Sequence, residues 1–141
     1  MAFTIRSTGD NYVQLEAFNL KTKIPKAGYT PAVGDLVILD TSIANGVDLI
    51  AANENPYGIV EASASGVCTV AELVGGATIE LPYSGSVALG DKVEGDGSAA
   101  THGTSLDRSP VRTDNTNGVG VVIAVDADSP HGTGHCVVRF P

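Results

Sequence analysis

A four-residue step of the form Gly-Asp-x-Val occurs twice in the sequence, as GDLV at residues 34–37 and as GDKV at residues 90–93. Each step is followed by a Gly-led apolar stretch, and then by a Gly-x-Cys-x-Val stretch that contains Cys68 or Cys136. The order of these signals is the same in both halves. A repeated order of turn and strand signals predicts that one β-unit occurs twice, over residues 34–73 and 90–140.

The repeated step is typical of a turn that leads into a strand. Glycine adopts positive φ without steric cost, so Gly34 and Gly90 are suited to a sharp turn. A neighbouring aspartate accepts hydrogen bonds from the turn backbone, which assigns Asp35 and Asp91 a structural role rather than an acid–base one. The following valine begins the pleat on the inward face of the strand.

Short β-branched runs dominate the rest of the chain, and the 17 glycines and 7 prolines separate them. No long window shows a helical period, so we predict an all-β fold, a small barrel or sandwich of about 8–10 short strands. The predicted strands are Tyr12–Phe18, Leu36–Leu39, Val47–Ala52, Tyr57–Ala62, Val67–Leu73, Thr78–Leu81, Ser86–Ala88, Lys92–Glu94, Val119–Val125 and His135–Phe140.

Residues 94–118 form the least strand-like stretch, which predicts a long polar loop. Its arginines, Arg108 and Arg112, are solvated or pair with a neighbouring acidic surface. The paired carboxylates Glu94 and Asp96 are interpreted as solvated groups in a turn.

Charge divides the chain into two parts. Residues 1–33 contain four basic and two acidic groups, a net charge of +2, whereas residues 34–141 contain four basic and fourteen acidic groups, a net charge of −10. We therefore predict an N-terminal arm with a first strand over residues 1–33, able to dock on an acidic partner, and a β-domain over residues 34–141. The acidic balance and an aromatic content of 5% argue against a nucleic-acid partner.

No pattern in the sequence indicates a reaction or a targeting segment. His131, His135 and Cys136 are close in sequence, but neighbouring residues of a strand point to opposite faces, which disfavours a metal site. A G-x-S-x-G elbow and a phosphate-binding loop are both absent. We therefore predict no catalytic, cofactor or metal site, and we interpret Cys68 and Cys136 as buried thiols. The chain has neither a signal peptide nor a long apolar run, which predicts a protein made in the cytoplasm without a membrane partner.

Several passages resemble a family of small tailed-phage proteins, the capsid decoration or cement proteins. The matching passages are PAVGDLVILD, NPYGIVEA, IELPYSGSVALGDKVEGDG and the closing GHCVVRFP, and the likeness spans about residues 30–141. The resemblance implies a structural virion protein without enzymatic activity. It implies binding to the outer surface of the capsid as a homotrimer, with the major capsid protein as partner.

In this family the N-terminal arm often contacts the shell. Carried over to this chain, that role falls on apolar and basic residues of the N-terminal segment, namely Phe3, Ile5, Arg6, Lys21, Lys23 and Lys26. Two other classes remain open from the residues alone. One is a different virion β-module, such as a tail-tube, baseplate or fibre component, and the other is an enzyme or a non-catalytic ligand-binding module on a β-barrel.

Overall fold

The structure, a computed structural model, describes residues 20–100, 108–126 and 134–141. These ranges contain ten strands and no helix, which confirms the predicted all-β class and number of strands. The strands are β1 (Leu20–Pro25), β2 (Leu36–Asp40), β3 (Gly46–Leu49), β4 (Gly58–Ala64), β5 (Val67–Glu72), β6 (Thr78–Pro82), β7 (Lys92–Gly95), β8 (Val111–Thr113), β9 (Gly120–Asp126) and β10 (His135–Arg139).

The strands form two sheets with the same connectivity. Strands β1–β5, which we call unit 1, form a closed barrel in the order β1-β3-β2-β4-β5, with β1 parallel to β3 and antiparallel to β5. Strands β6–β10, which we call unit 2, have the order β6-β10-β9-β7-β8. Adding five to each strand number of unit 1 reproduces every neighbour pair of unit 2. The parallel pairing of β1 with β3 in unit 1 corresponds in unit 2 to a single parallel bridge between Tyr83 and Val111.

The register repeats as well as the order. The β4–β5 ladder skips one residue at Glu61, and the β9–β10 ladder skips one at Ile123, which is the same position in its strand. Cys68 lies opposite Ser63 in unit 1, and Cys136 lies opposite Val125 in unit 2. The repeat seen in the sequence is therefore also a repeat of pairing, and it extends to β1 and β6.

Alternating residues of unit 1 enter two different clusters. One cluster consists of Val37, Val47, Val60, Cys68 and Val70 from the inward positions of unit 1. The residues next to these in sequence, including Leu36, Ile59 and Ala71, pack with the core of unit 2. Because β-strand side chains alternate between faces, unit 1 buries both faces of its sheet, one inside the barrel and one against unit 2.

Two predicted strands are wrong or lie outside the described residues, and two observed strands were not predicted. Ser86–Ala88 is not a strand, because these residues approach the turn at Gly90. The predicted loop at 94–118 contains β8, which was missed because it has only three residues and follows Pro110. Strand β1 at Leu20–Pro25 was also missed, because its lysines obscure the alternation, and the predicted strand Tyr12–Phe18 lies outside the described residues.

Candidate interaction surfaces

The two Gly-Asp-x-Val steps have the same backbone geometry. Gly34 has a φ of +95° and Gly90 a φ of +84°, values that favour glycine over any residue with a Cβ. The Gly34 amide donates to the carbonyl oxygen of Val60, and the Gly90 amide donates to that of Val122, both at 2.9 Å. Each turn therefore fastens the start of one strand, β2 or β7, to its antiparallel neighbour.

The aspartates close these turns in the same way. Asp35 Oδ2 accepts the backbone N–H of Ala32 at 3.0 Å, and Asp91 Oδ2 accepts that of Ala88 at 2.9 Å. Each aspartate also donates its own backbone N–H to the carbonyl of the same alanine. These bonds fix each carboxylate as a cap of its turn. The hydrogen bond that the Asp91 carboxylate accepts from the Ala88 amide makes the largest contribution to lowering the pKa of Asp91.

The surroundings of the two aspartates differ. Asp35 is buried, and it also accepts the Tyr29 hydroxyl at 2.7 Å and the Ala100 amide at 2.9 Å. Burial and the hydrogen bond from its hydroxyl to Asp35 raise the pKa of Tyr29 above its usual range. Asp91 instead accepts the Thr113 hydroxyl and the Asn115 side-chain amide, each at 3.3 Å. The turn of unit 1 is thus contacted by Ala100, which lies between β7 and β8, whereas the turn of unit 2 is contacted by residues in and just after β8.

Arg108 belongs to the same cross-unit contact. Its side chain is buried, and Nη1 donates to the backbone carbonyl of Glu80 at 3.2 Å. Burial lowers the pKa of Arg108 to about 10, although the nearby charges of Glu61 and Glu80 act in the opposite direction. The backbone N–H of the next residue, Ser109, donates to the carbonyl oxygen of Gly34 at 3.0 Å. The chain of unit 2 is therefore fixed across the turn of unit 1.

Glu94 is not a solvated turn residue, and that interpretation of the sequence was wrong. It lies in β7 with an exposure of 0%, and its Oε2 accepts the Arg112 guanidinium from Nε at 3.0 Å and from Nη2 at 2.9 Å. Burial raises the pKa of Glu94, and Arg112 opposes this effect. Arg112 also donates to Asn53 in unit 1. The polar residues of this segment predicted a solvated loop, whereas Glu94 and Arg112 form a buried ion pair that contacts both units.

The predicted contact lysines fall on or just after β1. Lys21 is exposed and lies opposite Val70, and Lys23 lies opposite Cys68. The Lys23 ammonium is 5.2 Å from the ring centroid of Tyr57, a cation–π distance. Lys26 Nζ lies 3.7 Å from Asp48 Oδ2 in an exposed ion pair. Phe3, Ile5 and Arg6, the other predicted contacts, lie outside the described residues.

Unit 2 has buried apolar residues where unit 1 has these lysines. Ile79 lies opposite Val138, and Leu81 lies opposite Cys136, so they correspond to Lys21 and Lys23. Both side chains are buried in the unit 2 core. The two units therefore differ in the character of their first strands, β1 and β6.

The described residues show no arrangement typical of a metal centre. No group of three or more His, Cys, Asp or Glu side chains in the described ranges is placed to hold a metal ion. His135 is buried in β10, and His131 lies outside the description. Cys68 and Cys136 are buried free thiols, as predicted, and burial raises the pKa of Cys136 to about 12. The same ranges contain no helix of the length and apolarity that a membrane span requires.

Comparison with known proteins adds no family assignment. No protein-family model matches the chain, and a search of curated proteins finds no significant match.

Proposed function

We propose that the chain is a structural virion protein that binds the outside of a tailed-phage capsid and bridges neighbouring major capsid protein subunits. The observation that carries the proposal is the equivalence of the two Gly-Asp-x-Val turns, which are central to the family resemblance. They lie at matching positions in two β-units of the same connectivity. A doubled β-unit with its turns tied by internal hydrogen bonds is suited to bearing load on a surface.

The N-terminal segment is the first candidate for the shell contact. Lys21 has no ion-pair or hydrogen-bond partner for its side chain among the described residues, so its charge is available to an acidic partner. Lys23 and Lys26 already contact Tyr57 and Asp48, and they would have to exchange these contacts on binding. In this proposal Phe3, Ile5 and Arg6 complete the contact, and the attraction weakens with added salt.

Assembly as a homotrimer follows from the family resemblance and belongs to the same proposal. Several weak contacts per particle site would combine into a strong attachment, because each bound copy raises the effective concentration of the next contact. Binding to the closed shell and not to free subunits would stabilise the shell by mass action.

The proposal is tested with expanded shells assembled from the major capsid protein of the phage that encodes the chain. Recombinant protein is expected to co-sediment with these shells, to occupy their outer surface in a particle reconstruction and to raise their melting temperature. Deletion of residues 2–9 should leave the fold intact and weaken co-sedimentation. Recovery of the protein in tail fractions of virions, with no shell binding, would reassign it to a tail, baseplate or fibre component.

A further inference from the structure

Three side chains from adjacent strands of unit 2 lie side by side on one face. Val121 of β9 is paired with Lys92 of β7 on one side and with Arg139 of β10 on the other. Directly paired residues of neighbouring strands share a face of the sheet. We call Lys92, Val121 and Arg139 the basic rung, since two cations flank one apolar residue.

The basic rung lies on the face opposite the unit 2 core. The residues that follow or precede its members by one position, Val93, Val122 and Val138, are all buried. Because side chains alternate along a strand, the rung itself points away from that core, and both cations are exposed. An open groove of about 570 Å³ adjoins Arg139, lined by Gly75, Gly76, Val121, Ile123, Arg139 and Pro141.

The two cations of the rung are the unengaged ones of the β-domain. Residues 34–141 contain four basic residues. Arg108 is buried and bonded to Glu80, and Arg112 is paired with Glu94. Neither the Lys92 ammonium nor the Arg139 guanidinium has a hydrogen-bond or ion-pair partner among the described residues. In a domain with a net charge of −10, both remaining cations thus stand on one apolar face.

The corresponding rung of unit 1 is already an interface. Leu36, Ile59 and Ala71 are paired across β2, β4 and β5 exactly as the basic rung is paired across β7, β9 and β10. These three side chains are buried against unit 2. In unit 1, this outward face of the sheet is therefore an apolar interface with unit 2. In unit 2 it has cations at both ends and remains uncovered by the described residues.

We propose that the basic rung, together with Ile123, is a docking surface for an acidic protein segment that has apolar side chains between its carboxylates. The two cations are two strand spacings apart, about 10 Å, so two separate carboxylates can be engaged at once. Val121 and the half-exposed Ile123 cover the apolar part of the segment. A second copy of this acidic domain fits less well, because like net charges repel. The inference goes beyond the proposed function, since it holds for any partner of this chemistry.

The probe for this surface is the capped peptide Glu-Glu-Leu-Leu-Glu-Glu, titrated into the ¹⁵N-labelled full chain, with Lys-Lys-Leu-Leu-Lys-Lys as its control. Amide shifts are expected to concentrate on the basic rung and Ile123, and to fade as salt is raised to about 0.3 M. The double variant Lys92→Gln/Arg139→Gln should bind about three- to tenfold more weakly. The variant Ala44→Asp/Ser65→Asp, which changes the net charge equally at exposed sites of unit 1, should bind like the parent.

A matched apolar pair sharpens the test. Ile123 and Leu39 are both 49% exposed, so Ile123→Ser should weaken peptide binding and Leu39→Ser should not. Shifts that map to β1, or equal weakening in both charge variants, would overturn the proposal. Self-association that only Lys92→Gln/Arg139→Gln abolishes would assign the face to a second copy instead.

The shell experiment keeps the two proposals apart. Loss of shell binding in Lys92→Gln/Arg139→Gln would identify the acidic partner as the capsid. Equal shell binding with lost peptide binding would leave the docking surface intact and place it on another partner. Absence of shell binding by the parent chain would overturn the proposed function alone.

Discussion

Units 1 and 2 have identical residues at several inward positions of their later strands and different residues at the equivalent outward positions. The equivalent inward pairs are identical: Val37 and Val93, Val60 and Val122, Cys68 and Cys136, Val70 and Val138. The equivalent outward pairs differ in charge or size: Leu36 and Lys92, Ala71 and Arg139, Glu61 and Ile123. The inside of a small barrel admits few shapes, because its side chains pack at nearly crystalline density. The outside is determined by what lies against it.

The difference shows how one β-unit can serve two purposes. Unit 1 has buried apolar residues on its outward face because unit 2 covers it. It has lysines on β1 where unit 2 has Ile79 and Leu81. In unit 2 both features are the opposite: the apolar residues of the first strand are buried, and the outward face has the exposed basic rung. Each unit is thus apolar where the other unit contacts it and charged where solvent or a partner does.

Exchanging the first-strand residues between the units should give the largest effect. Ile79→Lys/Leu81→Lys removes two fully buried apolar side chains and places two ammonium groups in the core. We expect a loss of more than about 5 kcal/mol in the free energy of unfolding, measured by urea denaturation. The reverse exchange, Lys21→Ile/Lys23→Leu, should change it by less than about 1 kcal/mol. Equal losses from both exchanges would show that β1 and β6 are not in different environments.

The buried ion pair of unit 2 gives the next largest effect. Glu94 and Arg112 occupy the positions of Ile38 and Asp48 in unit 1. Arg112→Met should lower the free energy of unfolding by about 3 kcal/mol, the lower end for a buried pair, because Arg112 is 38% exposed. Adding Glu94→Ile, which copies the choice of unit 1, should recover most of this loss. A double variant no more stable than Arg112→Met would contradict the assigned role of Glu94.

Two glycines at the start of equivalent strands should behave alike. A Cβ on Gly58 would lie 2.4 Å from Val70 Cγ1, and one on Gly120 would lie 2.5 Å from Val138 Cγ1. Gly58→Ala and Gly120→Ala should each cost about 2 kcal/mol through overpacking, measured by thermal denaturation. A cost confined to one unit would break the equivalence of their interiors.

The smallest predicted effect is a pH dependence at the bulge. Burial raises the pKa of Glu61, whereas its counterpart Ile123 does not titrate. A carboxyl group whose pKa is higher in the folded state stabilises the fold less as it ionises. The stability of Glu61→Gln relative to the parent should therefore rise as the pH increases above 4.5, the ordinary pKa of a glutamate. Urea denaturation at several pH values measures this difference, with Ile123→Gln as the pH-independent control.

The sequence predicts the parts of the fold that depend on local chemistry. Gly34 and Gly90 mark turns because positive φ restricts the choice of residue, and alternating valines mark the strands that follow. Strand β1 was harder to predict than its counterpart β6, because β1 alternates lysine with threonine and isoleucine and is largely exposed. The ion pair of Glu94 and Arg112 was missed for a related reason. Its burial depends on contacts between the two units, and no local pattern records such contacts.

The basic rung also could not be predicted from the sequence. Lys92 and Arg139 are 47 positions apart by their numbering, and only the pairing of three strands brings them together. The capsid-contact residues inferred from the resemblance all lie within one N-terminal segment, so they could be named without a structure. A surface assembled from separate strands becomes visible only when the register is known.

Because each unit contains one buried thiol, the two cysteines can report whether the units unfold cooperatively. Cys68 lies inside unit 1 and Cys136 inside unit 2, so neither can react until its unit opens. The labelling rate of each thiol in the native state therefore measures the opening free energy of one unit. If the two rates converge as denaturant is added, the units unfold as a single body. Rates that stay apart would mean that one half of the molecule can open while the other remains folded.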